Sequence, residues 1–317
     1  MRKIYVLYHR DSDGRFAGWC ARHHFSTNDY KDPKYPLDLQ MIGVQYNEPL
    51  PFNIDDLQEG DFVHIVDFSY PREILDQIYA KIGPRLKVLD HHIKAEPALR
   101  GAPYVIFDNA KSGALLAWEY YFPGVPAPKA CLLVNDRDLW KWEFGEKTES
   151  FEAYLRTQGV NDNWDKWTEL TFNDSAIEGA IAKGKSYAEY ERLAVQSFAK
   201  STRNHRRIFI NFQDKDYVFA FYEGMGILTS EVGAEFNKNH GTDGTLEYRV
   251  RGNKMVFSMR GAPGIDVGAM AASIAGGGGH VAAAGFSMSL HLGLKAVARI
   301  YEVCDDSEVL KWSELCK

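Results

Sequence analysis

Short apolar runs and longer amphipathic stretches alternate through the first half of the chain. Residues 4–8, 62–66, 86–89 and 104–107 are compact, rich in β-branched and aromatic side chains and bounded by polar positions, which is the pattern of buried strands. Between them, residues 14–25, 71–82 and 112–122 repeat apolar side chains every three or four positions, with Pro71 suited to a first turn and Ser112 to an N-cap. Strands alternating with helices predict an α/β domain with a mostly parallel sheet covered on both faces.

Residues 174–205 contain no proline and carry Ala180, Ile181, Tyr187, Tyr190, Leu193, Ala194 and Phe198 at helical spacing, so a helical linker is expected there. Beyond it, residues 208–212, 218–222, 246–250 and 254–259 read as strands, and residues 228–237 and 267–274 as helices. The expected organisation is a first domain at 1–173, a linker at 174–205 and a smaller second α/β domain at 206–317. A length of 317 residues agrees with two domains of on the order of 100–200 residues each.

Composition narrows the function. Hydrophobic residues at 45% and charged residues at 25% predict a chain folded throughout. The formal charge of −6 argues against coating long double-stranded nucleic acid, because that needs a basic face to displace counterions. A short anionic substrate held by local cations is compatible with it. The sequence has no run of about 18 apolar residues and no cleavable leader, so a cytoplasmic protein without membrane attachment is expected. Cys20, Cys131, Cys304 and Cys316 form no CxxC pair, so neither a zinc knuckle nor a disulfide framework is suggested and reduced bystanders are expected. Oligomeric state is open, and a homodimer is compatible.

The chemistry lies where apolar runs end. Tyr8 leads into His9-Arg10-Asp11-Ser12-Asp13-Gly14, Val66 into Asp67, Leu89 into Asp90-His91-His92, and the apolar residues 131–134 are followed by Asp136. In an open parallel sheet the carboxyl ends of the strands form the ligand crevice, so distant acids and imidazoles should meet at one edge. Singly, Asp11 and Asp13 could cap a helix and the histidines could be surface polarity. Together they would repel and desolvate one another unless cations neutralise them. A ligand set of imidazole and carboxylate without thiolate suits two divalent ions, with Mn²⁺ expected and Mg²⁺, Co²⁺ or Fe²⁺ compatible.

The ordered set of His9, Asp11 and Asp13, then Asp67, then Asp90-His91-His92, then Asp136, resembles the four motifs of the DHH phosphoesterase superfamily. Gly276-Gly277-Gly278-Gly279-His280, followed by Ala282-Ala283-Ala284-Gly285-Phe286, resembles the glycine-rich signature of its companion DHHA1 domain. The resemblance covers both halves and leaves mainly residues 144–205 without a signature. It implies one metal on His9, Asp11 and Asp67, and a second on Asp13, Asp67, His91 and Asp136, with Asp67 bridging. It implies further that Asp90 orients an imidazole and that His92 meets the substrate phosphate or assists the leaving oxygen. Arg260, Gly277, Gly278, Gly279 and His280 would bind substrate through a forked cation, backbone N–H groups and an imidazole. Trp140 and Trp142 are expected to pack a domain seam rather than stack on a base.

A DHHA1-type second domain implies a nucleotidic substrate. The leading expectation is a manganese-dependent phosphodiesterase, related to oligoribonucleases and RecJ-like enzymes, that cleaves short oligonucleotides or dinucleotides to mononucleotides. The alternatives are a cyclic-dinucleotide phosphodiesterase, a 3′-phosphoadenosine 5′-phosphate phosphatase, or a nucleotide-binding module without catalysis.

Overall fold

Strand β1 (Arg2–His9) buries both of its faces. Ile4, Val6 and Tyr8 enter one apolar core, and Tyr5 and Leu7 enter another, as a parallel strand between two helical layers must do. In this computed structural model the described residues are 2–27, 37–46, 48–201, 203, 205–226, 228–304 and 309–315. The chain divides into two units, residues 1–189 and 190–317.

In the first unit β1 is followed by α1 (Ser12–Thr27), β2 (Leu37–Val44), β3 (Phe62–Val66), α2 (Arg72–Ile82), β4 (Leu86–Asp90), α3 (Glu96–Leu99), β5 (Val105–Phe107) and α4 (Gly113–Tyr121). The helices α5 (Lys129–Asp138), α6 (Glu146–Thr157), α7 (Trp164–Phe172) and α8 (Asp174–Lys200) come next. The sheet is parallel throughout, in the order β2-β1-β3-β4-β5. On one face α1, α4, α5, α6 and α7 contribute Phe16, Trp19, Trp118, Leu133, Phe151 and Trp167 to a core. On the other, α2 contributes Leu75, Ile78 and Ile82.

The covered parallel sheet is the predicted architecture, with two local differences. Edge strand β2 was not anticipated, because its half-exposed side chains lack a firm alternation. Residues 131–134 form no strand: they lie within α5, where Ala130, Cys131, Leu133 and Val134 make a buried helical stripe after Pro128. The boundary between the units falls inside α8 rather than at either end of it. Ile177 and Ala180 belong to the first unit's core, whereas Val195 and Ala199 pack with Tyr222, Val232 and Phe236 of the second.

The second unit contains β6 (Arg206–Phe212), β7 (Lys215–Glu223), α9 (Thr229–His240), β8 (Gly244–Arg251), β9 (Lys254–Gly261), α10 (Val267–Ala272), β10 (Gly278–Gly279), β11 (Ala283–Ser289), α11 (Leu290–Cys304) and β12 (Val309–Lys311). Its mixed sheet runs β10-β11-β9-β8-β7-β6-β12. Phe219, Phe221, Leu246, Phe257 and Met259 pack on α10 and α11, while α9 covers the other face. Among the described residues no helix is long and apolar enough to cross a membrane. Cys20 and Cys131 are buried thiols of the first core; the Cys304 side chain and Cys316 lie outside the described residues.

Candidate metal centre

The ends of β1, β3 and β4 bring His9, Asp67 and Asp90-His91-His92 to one edge of the first sheet, and the start of α1 adds Asp11 and Asp13. Asp67 turns out of β3 with φ of +55°, a left-handed conformation that costs energy for a residue with a Cβ, while its N–H donates to Leu89 O at 2.8 Å. That turn places its two carboxylate oxygens toward different neighbours. Oδ2 lies 3.7 Å from His9 Nδ1, and Oδ1 lies 3.1 Å from His91 Nε2.

Helix α4 then closes on Asp67. A Cβ on Gly113 would stand 2.3 Å from the Asp67 Cβ, so only glycine admits the helix this close. The N–H groups of Gly113 and Ala114 donate to the two oxygens of Asp13 at 2.6 and 2.9 Å, joining the DxD motif to a helix N-terminus 100 residues away. Ser112 caps the same helix and gives its own N–H to Asn135 Oδ1 at 3.0 Å.

Among the described residues three ligand groups result, each with candidate ligand atoms within 4.8 Å of one another: His9, Asp11 and Asp67; Asp13, His91 and Asp138; and Asp67, His91 and His92. His9 Nδ1 is 2.6 Å from Asp11 Oδ2, and His91 Nε2 is 3.6 Å from Asp138 Oδ2 and 3.8 Å from Asp13 Oδ2. The imidazoles are held from behind. His9 Nε2 lies 3.0 Å from Gln45 Oε1, which fixes the proton there and leaves the Nδ1 lone pair for the cluster. His92 Nδ1 is 2.6 Å from Asp90 Oδ1, and that carboxylate also accepts the N–H groups of His91 and His92 at 2.8 and 3.1 Å.

Asp136 is not among these ligands, in contrast to the sequence expectation. Its buried carboxylate accepts the N–H groups of Glu143 and Phe144 at 2.8 and 3.2 Å and the Thr148 hydroxyl at 2.5 Å, which ties the loop after α5 to the start of α6. The carboxylate beside His91 belongs to Asp138. Two residues on a helix are separated by about 200° of rotation, so positions 136 and 138 face nearly opposite ways. Asp136 would follow from a strand ending near Val134; the helical spacing of Ala130, Cys131, Leu133 and Val134 was the signal that could have shifted the reading to Asp138. Gln45 had no such signal, since the strand before it was not foreseen.

The electrostatics match a cation site. Burial and the charges of Asp67, Asp138 and Asp11 drive the Asp13 carboxyl well above its usual range, and burial brings Asp138 up to about 7. Burial opposes ionisation of Asp67, but its contacts with His9 and His91 outweigh it and hold the carboxyl well below its usual value. Burial likewise opposes the protonated imidazoles, yet Asp11 raises His9 to about 11 and Asp67 raises His91 to about 9. Without a cation the cluster must therefore retain protons. Among the described residues, buried His9 Nδ1 and Asp67 Oδ1 make no well-aligned hydrogen bond despite their close ionic neighbours, and the all-nitrogen-and-oxygen donor set fits divalent metal.

In the second unit, Arg260 on β9 is the register partner of Ala283 on β11, and His280 N–H donates to Ala283 O at 2.7 Å. Gly278 and Gly279 pair with Gly285 and Ala284, so all of these residues occupy one end of that sheet. Arg260 is oriented by bonds from Nε to Ser230 Oγ at 2.9 Å and from Nη1 to Met259 O at 2.7 Å. The glycines also serve packing: a Cβ on Gly277 would fall 2.0 Å from Ala271 O, and one on Gly279, at φ of +139°, 2.5 Å from Ala284 Cα. Trp140 and Trp142 bracket the Arg137 guanidinium, which lies 4.5 and 5.4 Å from their ring centroids.

Comparison with solved structures shows the fold. A DHH domain from a member of the s1p family of ribosomal proteins superposes with a TM-score of 0.56 at 13% identity, over 95% of this chain and 86% of that one. The chain has the DHH-domain fold, which is the recognition that its ordered motifs carried. A pGpG-specific phosphodiesterase from Vibrio cholerae aligns with a TM-score of 0.49 at 15% identity, over 97% of this chain and all of that one. By sequence, an uncharacterized protein of Acanthamoeba polyphaga mimivirus is 28% identical over 210 residues, which covers 62% of this chain and 47% of the relative. The chain thus spans about half the length of the curated relative it matches. No family model matches it.

Proposed function

We propose that this chain is a divalent-metal phosphodiesterase that hydrolyses short oligonucleotides or dinucleotides, with manganese as the preferred ion. The observation that carries the reading is Asp67, whose two oxygens face the histidines of two ligand groups, His9 with Asp11 on one side and His91 with Asp13 and Asp138 on the other. These residues would hold two cations. Bound there, divalent ions would supply Lewis-acid charge and make water acidic enough to act as nucleophile near neutral pH.

The chain's own groups do the rest. Gln45 and Asp90 keep His9 and His92 in fixed orientations, so little reorganisation accompanies the reaction. Burial opposes protonation of His92, but fully buried Asp90 outweighs it and raises the imidazole above its ordinary value, which would let it donate a proton to the leaving oxygen. No covalent enzyme intermediate is needed. Arg260, Gly277, Gly278, Gly279 and His280 would bind the sugar-phosphate portion of the substrate.

The test is hydrolysis with and without Mn²⁺ of a linear dinucleotide, a cyclic dinucleotide, 3′-phosphoadenosine 5′-phosphate, pyrophosphate and single-stranded DNA, beside an Asp67→Asn control. Asparagine is chosen because it tolerates the left-handed conformation at this position. Mn²⁺-dependent cleavage of the linear dinucleotide, lost in the control, is the expected result. Cleavage of pyrophosphate alone, or an unaffected control, would overturn the reading.

A further inference from the structure

Strand β2 ends beside the candidate metal centre. Val44, its last residue, is the register partner of His9, so the chain leaves β2 at the same edge of the sheet that carries the ligand groups. Gln45, the first residue past the strand, holds His9 from behind. Tyr46, the second, belongs neither to the ordered motifs nor to the three ligand groups.

The Tyr46 ring is fixed against two imidazoles of the centre. Its centroid lies 5.6 Å from that of His9 and 5.6 Å from that of His92, and those two imidazoles are 6.2 Å apart. Both contacts are edge-on, at interplanar angles of 62° and 73°, and the buried Phe68 backs the ring at 4.9 Å. The turn is closed by Glu48, whose Oε2 accepts from Gln45 N–H at 3.0 Å and whose own N–H donates to Gln45 O at 3.1 Å.

Core packing does not account for this residue, because Tyr46 is 48% exposed. Its hydroxyl makes no hydrogen bond among the described residues. That end of the side chain lies toward the acids: burial and then the charges of Asp90, Asp67, Asp11 and Asp138 raise its pKa. With divalent cations on the carboxylates, the acceptor left for a neutral phenolic donor is an anionic oxygen held at the centre. A phosphate supplies such an oxygen; a cationic or purely apolar ligand does not.

We infer that Tyr46 is a substrate-contacting residue whose hydroxyl donates a hydrogen bond to a nonbridging oxygen of the phosphate held at the metal centre, beside His92. The inference rests on the phosphodiesterase reading for the reaction it serves, but phosphate binding is measurable without turnover. Tyr46→Phe deletes the hydroxyl and keeps the ring against His9 and Phe68. Calorimetric titration of the full chain in Mn²⁺ should show AMP bound about tenfold more weakly by the variant, as loss of one hydrogen bond to a charged group gives. Mn²⁺ itself should bind both chains equally, because no ligand has changed. With a linear dinucleotide, kcat/KM should fall further, by about a hundredfold, because the bond strengthens as charge builds on the phosphate.

Absence of AMP binding by the wild-type chain, or equal affinity in the two chains, would overturn the contact. So would weaker Mn²⁺ binding in the variant, which would mean that the hydroxyl serves the metal ligands, and so would an equal loss of affinity for adenosine, which has no phosphate. A variant that binds AMP more weakly, in a chain that cleaves no phosphodiester, would uphold the contact and sink the catalytic reading. Dinucleotide cleavage at one rate in both chains would do the reverse.

Discussion

A Cβ on Gly113 would stand 2.3 Å from the Cβ of Asp67, well inside van der Waals contact, so the N-terminus of α4 and the candidate bridging carboxylate share space that only glycine leaves open. The same approach lets Gly113 and Ala114 donate to Asp13. Gly113→Ala should therefore push α4 away from Asp67, break the Asp13 contacts and lower stability by on the order of 1–3 kcal/mol, as overpacking in a close-packed interior does. Urea denaturation measures the loss, and Mn²⁺ titration of the folded variant should show weakened binding. Wild-type stability and affinity in this variant would mean that the backbone can move aside freely.

Asp136 and Asp138 separate structural from ligand roles on one helix. Asp138→Asn should keep the fold and lose about 10–100-fold in Mn²⁺-dependent activity, on the scale of losing a supporting contact to metal. Asp136→Ala strands two N–H groups and the Thr148 hydroxyl, and should lower unfolding stability by about 1–3 kcal/mol while the folded fraction still binds Mn²⁺. Swapped phenotypes would return Asp136 to the metal centre.

Metal should stabilise the fold by mass action. With Mn²⁺ at about a hundred times its dissociation constant the gain is about 2.7 kcal/mol for one site, seen as a rise in Tm that EDTA reverses. Asp67→Asn, which removes the carboxylate facing both groups, should abolish most of that rise. A Tm indifferent to Mn²⁺ in the wild-type chain would count against the two-cation centre.

His64 sets an acid limit on the fold that is independent of the metal groups. Burial, with smaller contributions from His24 and Lys87, lowers its pKa to about 3, and its Nδ1 lies 2.6 Å from the Tyr121 hydroxyl. Between its ordinary value near 6.5 and about 3 the unfolded chain takes up a proton that the folded chain refuses, so this contribution to stability is full above the window and falls as pH drops through it. From pH 7 to 5 the loss from this residue is about 2 kcal/mol. His64→Phe should flatten the pH dependence of urea denaturation by about that amount, and an unchanged slope would assign the acid sensitivity elsewhere.

Much of the chain was legible because local pattern and burial agree. β1 sits between two helical layers, so every residue from Ile4 to Tyr8 must be apolar, and the run announces both a strand and its central place. The polar residues after it, and after β3 and β4, were equally visible, since an acid or imidazole at the end of each buried strand points, taken together, to a shared site. The same logic pointed to Asp136, whose side chain the fold turns toward a loop. A short apolar run is compatible with strand or helix, and only the helical turn of α5 decides that Asp138 faces His91 while Asp136 holds a loop.

The sequence by itself determined where most of the candidate acids and imidazoles stand, where the strands before them end and that a helix opens at the DxDG turn, because these follow from side-chain type and periodicity over a few residues. Tertiary structure alone decided what those residues meet: Gln45 behind His9, α4 against Asp67 and Asp13, Asp138 beside His91, and Glu152 opposite Ser12. Each of these pairs depends on how helices pack across the sheet. Packing is set by the fit of many buried side chains at once, which no local pattern in the chain records.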